Sequence, residues 1–157
     1  TLPGPQRTSS MYSVRLWSVR HAREMEWLYD AMSAPLLKAL RGLTGVFGKR
    51  LDRPVTAIER IAKGFFFDCK MCGNCVLSST GMSCPMNCPK TIRNGPCGGV
   101  RENGMCEVKP DMRCVWFAAW DGAGRMREGG NAIRNIQFAV DQRSKGTSSW
   151  LRLARDE

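Results

Sequence analysis

Histidine occurs once in these 157 residues, at position 21, far from any feature that could use it. That scarcity argues against zinc fingers of mixed Cys/His type and against catalysis built on an imidazole base. Long apolar runs are missing too: none approaches the roughly 20 residues that cross a bilayer, and no short one resembles a secretory core. The reading is therefore of a chain that does not span a membrane. Without an export signal, the expected compartment is cytoplasmic and reducing. Acids are the minority, 14 against 24 Lys and Arg, which leaves a net charge of +10. There is no Rossmann fingerprint, no complete P-loop and no internal repeat. What the chain does hold is 43% apolar residues, with five Trp and six Phe. That suffices for one modest core and rules out a wholly disordered chain.

Residues 1–10 contain Pro, Gly and Ser without periodicity and read as a flexible arm. Residues 11–63 read as a helical N-terminal region. A first helix over about 11–30 would place Val14, Trp17, Met25 and Leu28 on one stripe. Pro35 would open a second helix through Leu36, Leu37, Leu40 and Leu43, ended by Gly45 and Gly48. A third, after Asp52-Arg53-Pro54, would put Ile58 and Ile61 on one face and stop at Gly64. Residues 64–121 form a Cys-rich core that closes on a short buried helix, Val115 to Trp120, cut off by Gly122 and Gly124. Residues 122–157 read as a C-terminal tail in which Gly146-Thr147-Ser148-Ser149 turns and caps a final helix. Trp150, Leu151 and Leu153 on that tail either fill a pocket on another protein or fold back onto the chain's own helices.

All eight cysteines lie between Cys69 and Cys114, amid seven Gly and four Pro between residues 64 and 114. A segment so poor in apolar side chains cannot offset its ordering entropy by burial, so covalent or coordinate bonds must hold it. The spacing is Cys69-x2-Cys72-x2-Cys75, then Cys84-x3-Cys88-Pro89, Cys97, Cys106 and Cys114. Disulfides would need an oxidising compartment. Eight thiolates could hold two zinc ions in tetrahedral sites. Three cysteines at x2 spacing followed by a separate Cys-Pro favour a third reading, iron–sulfur. Bacterial ferredoxins use the same pieces, and eight thiolates equal the demand of two 4Fe–4S clusters. All eight are thus candidate metal ligands. The fold class expected is mainly α around an irregular metal-cluster core, a small metal-stabilised domain with a helical N-terminal arm.

Several other features have bland readings that compete with functional ones. The Gly-rich NGPCGG segment at 94–99 could cradle phosphate, but close wrapping around a metal centre explains it better. Trp116, Phe117 and Trp120 could stack on a flavin or pterin, or more simply cap the cluster core. His21 is given no role. The charge of +10 raises a basic zinc-ribbon module that binds nucleic acid. The basic residues are dispersed among acids, however, and an acidic partner protein accounts for the same excess, so neither nucleic acid nor membrane is expected as a partner.

The stretch FDCKMCGNCVLSSTGMSCPMNCPKTIRNGPCGGVRENGMCEVKPDMRCVW resembles the cysteine-rich C-terminal domain, or separate small subunit, associated with bacterial methylenetetrahydrofolate reductase. CGNCVLSSTG, CPMNCPK, NGPCGG and MCEV carry the resemblance, and KGTSSW is similar to the family's tail, so that it covers residues 64–155. The resemblance implies a role in folate one-carbon metabolism beside a TIM-barrel flavoprotein, which binds FMN or FAD and reduces methylene-tetrahydrofolate to methyl-tetrahydrofolate. It also implies iron–sulfur clusters, described in relatives from acetogens. Catalytic residues are expected in that flavoprotein partner and none in this chain, whose role would be to pass electrons or to stabilise the large subunit. A structural zinc subunit of the same complex is the alternative.

Overall fold

The computed structural model describes residues 10–156 and is mainly helical. Helix α1 spans Ser10–Arg20 and α2 Ala22–Phe47; a single 3-10 turn, Gly48–Leu51, leads into α3, Asp52–Phe67. The Cys-rich segment follows as irregular chain with one 3-10 turn at Pro85–Asn87. Helix α4 covers Val115–Arg125, and α5, Ser149–Asp156, comes after two more short turns. Among the described residues there is no β-strand, only isolated bridges joining Val100 to Cys106 and Met105 to Arg113. No helix is long and apolar enough to cross a membrane. The flexible arm read into residues 1–10 lies, Ser10 apart, outside the described residues.

Three apolar clusters hold these pieces together. The first joins Ala22 and Phe67 to Leu77, Met82 and Cys84 of the Cys-rich segment and to Met126 beyond it. A second surrounds Trp116 with Cys114, Ala119, Ala123 and Ile133. In the third, Leu151 and Ala154 of α5 meet Leu40 of α2, with Leu36, Leu37, Val55 and Trp150 at its edge. Of the two readings of the tail, the structure therefore has the second: α5 packs on the chain's own α2 and α3.

The helices differ from the sequence expectation in instructive ways. The first is broken at His21, which stacks on Trp17 with ring centroids 4.5 Å apart. Its buried side carries Arg15, Ser18, Val19 and Ala22, while Trp17 and Leu28 are exposed. Small residues there allow close approach, and Ser18 Oγ donates to the Phe66 carbonyl at 2.9 Å. Pro35 does not open a helix but sits on the exposed side of α2, which runs on to the Gly48 cap at φ +55°. Its continuation is explained by Leu36, Leu37 and Leu40, which pack against α5. Helix α3 passes Gly64 and ends three residues later, because Phe67 is buried in the first cluster and Asp68 takes up the left-handed capping conformation instead.

Helix α4 likewise runs through Gly122, whose missing side chain serves packing and not termination. A Cβ built there would lie 2.2 Å from the Gly81 carbonyl oxygen, and one built on Gly81, itself at φ +57°, would lie 2.2 Å from the Ala123 nitrogen. The two backbones touch, and this contact presses the Cys-rich loop onto α4.

Candidate metal centre

The loop after α3 curls because residues with left-handed backbone recur at Asp68, Met71 and Gly73. Around that curl Cys69, Cys72 and Cys75 come to line one cavity. A second tight turn at Gly81 and Met82 returns the chain and adds Cys84 to the same wall. Local hydrogen bonds fix the curl: Met71 N–H donates to Cys69 Sγ at 3.3 Å, and Cys72 Sγ donates to the Asn74 carbonyl at 3.4 Å. Burial pushes the Cys84 thiol up to about 12, with the neighbouring Cys69, Cys75 and Cys72 adding to the rise. Burial likewise raises Cys69. Such thiols stay protonated at neutral pH until a metal displaces the proton.

Cationic side chains surround these sulfurs. Arg93 and Lys63 line the cavity with them. Arg15 is buried as well; burial lowers its pKa against the opposing pull of Asp68, Tyr12 and Cys84. Four thiols and buried cations suit an anionic thiolate-bound centre, and a set of four cysteine thiolates is what 4Fe–4S clusters take. The donor chemistry thus fits the group. Among the described residues no three His, Cys, Asp or Glu form a group that could hold a metal ion.

The remaining cysteines do not reach this cavity. Cys88 is half-buried at the end of the Pro85–Asn87 turn, where its carbonyl accepts from Thr91 N–H at 2.8 Å. Cys97 has the Lys90 ammonium at 3.8 Å, and Lys90 is in turn paired with Glu107. The Cys106 backbone bonds Met112, and Cys114 is buried as the N-cap of α4. All eight are free thiols.

Neighbouring motifs serve packing in this arrangement. Gly95 of NGPCGG lies against the Trp116 ring and Gly99 against the Glu107 carboxylate, so the close wrapping is around these side chains. Trp116 is buried and donates Nε1–H to the Ile92 carbonyl at 3.1 Å, whereas Phe117 and Trp120 are partly exposed.

Sequence reasoning missed the polar wall of the site. On α3 the buried stripe is Glu59, Lys63 and Phe67, while Ile58 and Ile61 face solvent. Glu59 is 1% exposed and Lys63 4%. Lys63 Nζ donates to Glu59 at 2.6 Å and to Ser149 Oγ at 2.7 Å. Ser148 and Ser149 both donate to Glu59, the latter at 2.5 Å. Lys63 also lies 5.0 Å from the centre of the Trp150 ring, a cation–π contact. Burial alone would raise the Glu59 carboxyl, but Lys63 and the two serines hold it below its usual value. Ser148 and Ser149 of KGTSSW thus satisfy a buried ion pair. The i,i+4 Glu–Lys spacing on a predicted helix was the available signal.

The tail also closes the cavity. Thr147 and Ser149 line it together with the four cysteines, and Gly146 N–H donates to the Met71 carbonyl at 2.7 Å. A Cβ on Gly73 would strike the Ser144 carbonyl at 2.4 Å, so the thiol loop and the tail are packed backbone to backbone.

Residues 49–143 match a family model described as methylene-tetrahydrofolate reductase C terminal. No curated protein and no solved structure matches the chain. The matched stretch takes in the whole of α3 and the whole thiol loop and stops before KGTSSW, so it begins and ends earlier than the resemblance read over 64–155. With well over half its length matched, the chain that wraps four thiols around this cavity belongs to the methylene-tetrahydrofolate reductase C-terminal family.

Proposed function

We propose that this chain is the iron–sulfur partner of a flavin-containing, TIM-barrel methylenetetrahydrofolate reductase, with a 4Fe–4S cluster on Cys69, Cys72, Cys75 and Cys84. The observation that carries the reading is the cavity in which these four thiols meet two buried cations. A cubane held by four thiolates is negatively charged, and the buried Arg93 guanidinium offsets that charge, while Lys63 is already matched by Glu59. When bound, the cluster supplies one-electron transfer toward a flavin. The protein's own part is to hold the sulfurs, balance their charge and keep solvent out with α5. For Cys88, Cys97, Cys106 and Cys114 a second cluster is supported by the donor count.

Support for a partner comes from the surface. Helices α2 and α3 leave Trp27, Val46, Phe47, Ile58 and Ile61 exposed. Apolar surface of this kind on a small chain favours cover by another protein. The test is anaerobic purification of the full chain, alone and co-expressed with the flavoprotein. One cluster predicts about four iron and four acid-labile sulfide per chain, two predict about eight. Cys72→Ser should remove the iron of the first cavity. Stoichiometric zinc without visible absorbance would overturn the electron-transfer reading in favour of a structural zinc subunit. Failure to copurify with the flavoprotein in fixed ratio would overturn the partnership.

A further inference from the structure

Arg93 belongs to the segment between Cys88 and Cys97, yet its side chain reaches the cavity of Cys69, Cys72, Cys75 and Cys84. It is 7% exposed. One nitrogen is used: Nη2 donates to the Asn74 carbonyl at 3.3 Å. Nε and Nη1 are buried with no hydrogen-bond partner. The contrast with Lys63 on the same cavity is informative, since that ammonium is matched by Glu59 and Ser149. A permanently charged group with two orphaned donors in a dry site is strongly unfavourable unless an anion accepts them. The cavity also holds the Glu59 carboxylate and the Ser149 hydroxyl, but Lys63 and the serines already engage these, and the most numerous acceptors beside Arg93 are the sulfurs of the four cysteines.

We propose that Arg93 donates N–H hydrogen bonds through Nε and Nη1 to sulfur of the centre held by Cys69, Cys72, Cys75 and Cys84, and thereby raises its reduction potential. This rests on the iron–sulfur reading given above. Reduction adds negative charge to the centre, so a fixed positive donor favours the reduced form. The guanidinium is suited to the task because its fork is planar and never loses its proton. It also ties the second half of the Cys-rich segment to the first: a residue flanked by Cys88 and Cys97 tunes a centre whose ligands all precede it.

The experiment uses the full chain purified anaerobically as wild type, Arg93→Gln and Arg93→Lys, with iron and sulfide counted and the centre titrated under EPR detection. The Gln variant should keep its iron while its equilibrium constant for one-electron reduction falls about tenfold, a shift of 59 mV. The Lys variant keeps the charge without the fork and should fall by less. If Arg93→Gln loses its iron, the Lys variant is the one read. Brown variants with unchanged potential would overturn the inference alone. Loss of iron from both variants at wild-type helix content would assign Arg93 to building the site and overturn the tuning role. A wild-type protein without iron and sulfide would overturn the cluster reading and this inference with it.

Discussion

Glu59 offers the sharpest test of how the tail is held. In Glu59→Gln the shape is kept, but the Lys63 ammonium, 4% exposed, loses its counter-charge. Removing one member of a buried pair costs about 3–5 kcal/mol, because the other charge is left without compensation. Lys63 retains Ser149 Oγ at 2.7 Å, and the thiol cavity lies beside it, so the lower end of that range applies. About 3 kcal/mol corresponds to a rise of roughly a hundredfold in the local opening of α5. Amide hydrogen exchange of residues 150–156 reads that opening directly, without requiring reversible global unfolding. Lys63→Met should be comparably damaging. The double variant should be less damaging than the two singles added, by at least about 1 kcal/mol, since no charge is then stranded. Unchanged protection in Glu59→Gln, or strict additivity in the double variant, would refute the reasoning.

Further outcomes follow from the same contacts. Because the folded Glu59 carboxyl titrates below its unfolded value, its stabilisation is complete above the unfolded pKa of about 4.3 and is lost as pH falls through the folded one. The gap in α5 protection between wild type and Glu59→Gln should therefore be full near pH 6 and should close on acidification below about pH 4. Gly122→Ala places a Cβ 2.2 Å from the Gly81 oxygen; it should separate loop from helix and lower stability by about 3 kcal/mol or more, measured by thermal melting. Deleting residues 144–157 removes Thr147 and Ser149 from the cavity wall, so on the proposed iron–sulfur reading the truncated chain should bind less iron than the full chain, as metal analysis would show.

How far the sequence disclosed this architecture depends on what the buried faces are made of. The clustering of Cys69, Cys72, Cys75 and Cys84 was legible in part, since x2 spacing and Gly-rich turns imply thiols gathered on a curl. The helical class was legible because Leu36, Leu37 and Leu40 keep helical spacing. Helix α3 was misread in orientation because its interior stripe is polar, Glu59 and Lys63, and its isoleucines point outward. A search by apolar periodicity selects the wrong face whenever an ion pair occupies the core. Local propensity makes Gly64 and Gly122 read as helix stops, whereas burial of Phe67 and the Gly81 contact carry both helices past them. Arg93 could not be placed at all, because its partners are distant in the chain.

The wall that Thr147 and Ser149 supply has a consequence in time. During synthesis the four cysteines leave the ribosome well before those two residues exist. At roughly 5–20 residues per second the half-built cavity stands open for several seconds. A nascent chain thus presents its thiols uncovered, and the arrival of Thr147 and α5 completes the wall. The curl of thiols and the wall that covers it are thus formed in an order set by the direction of translation.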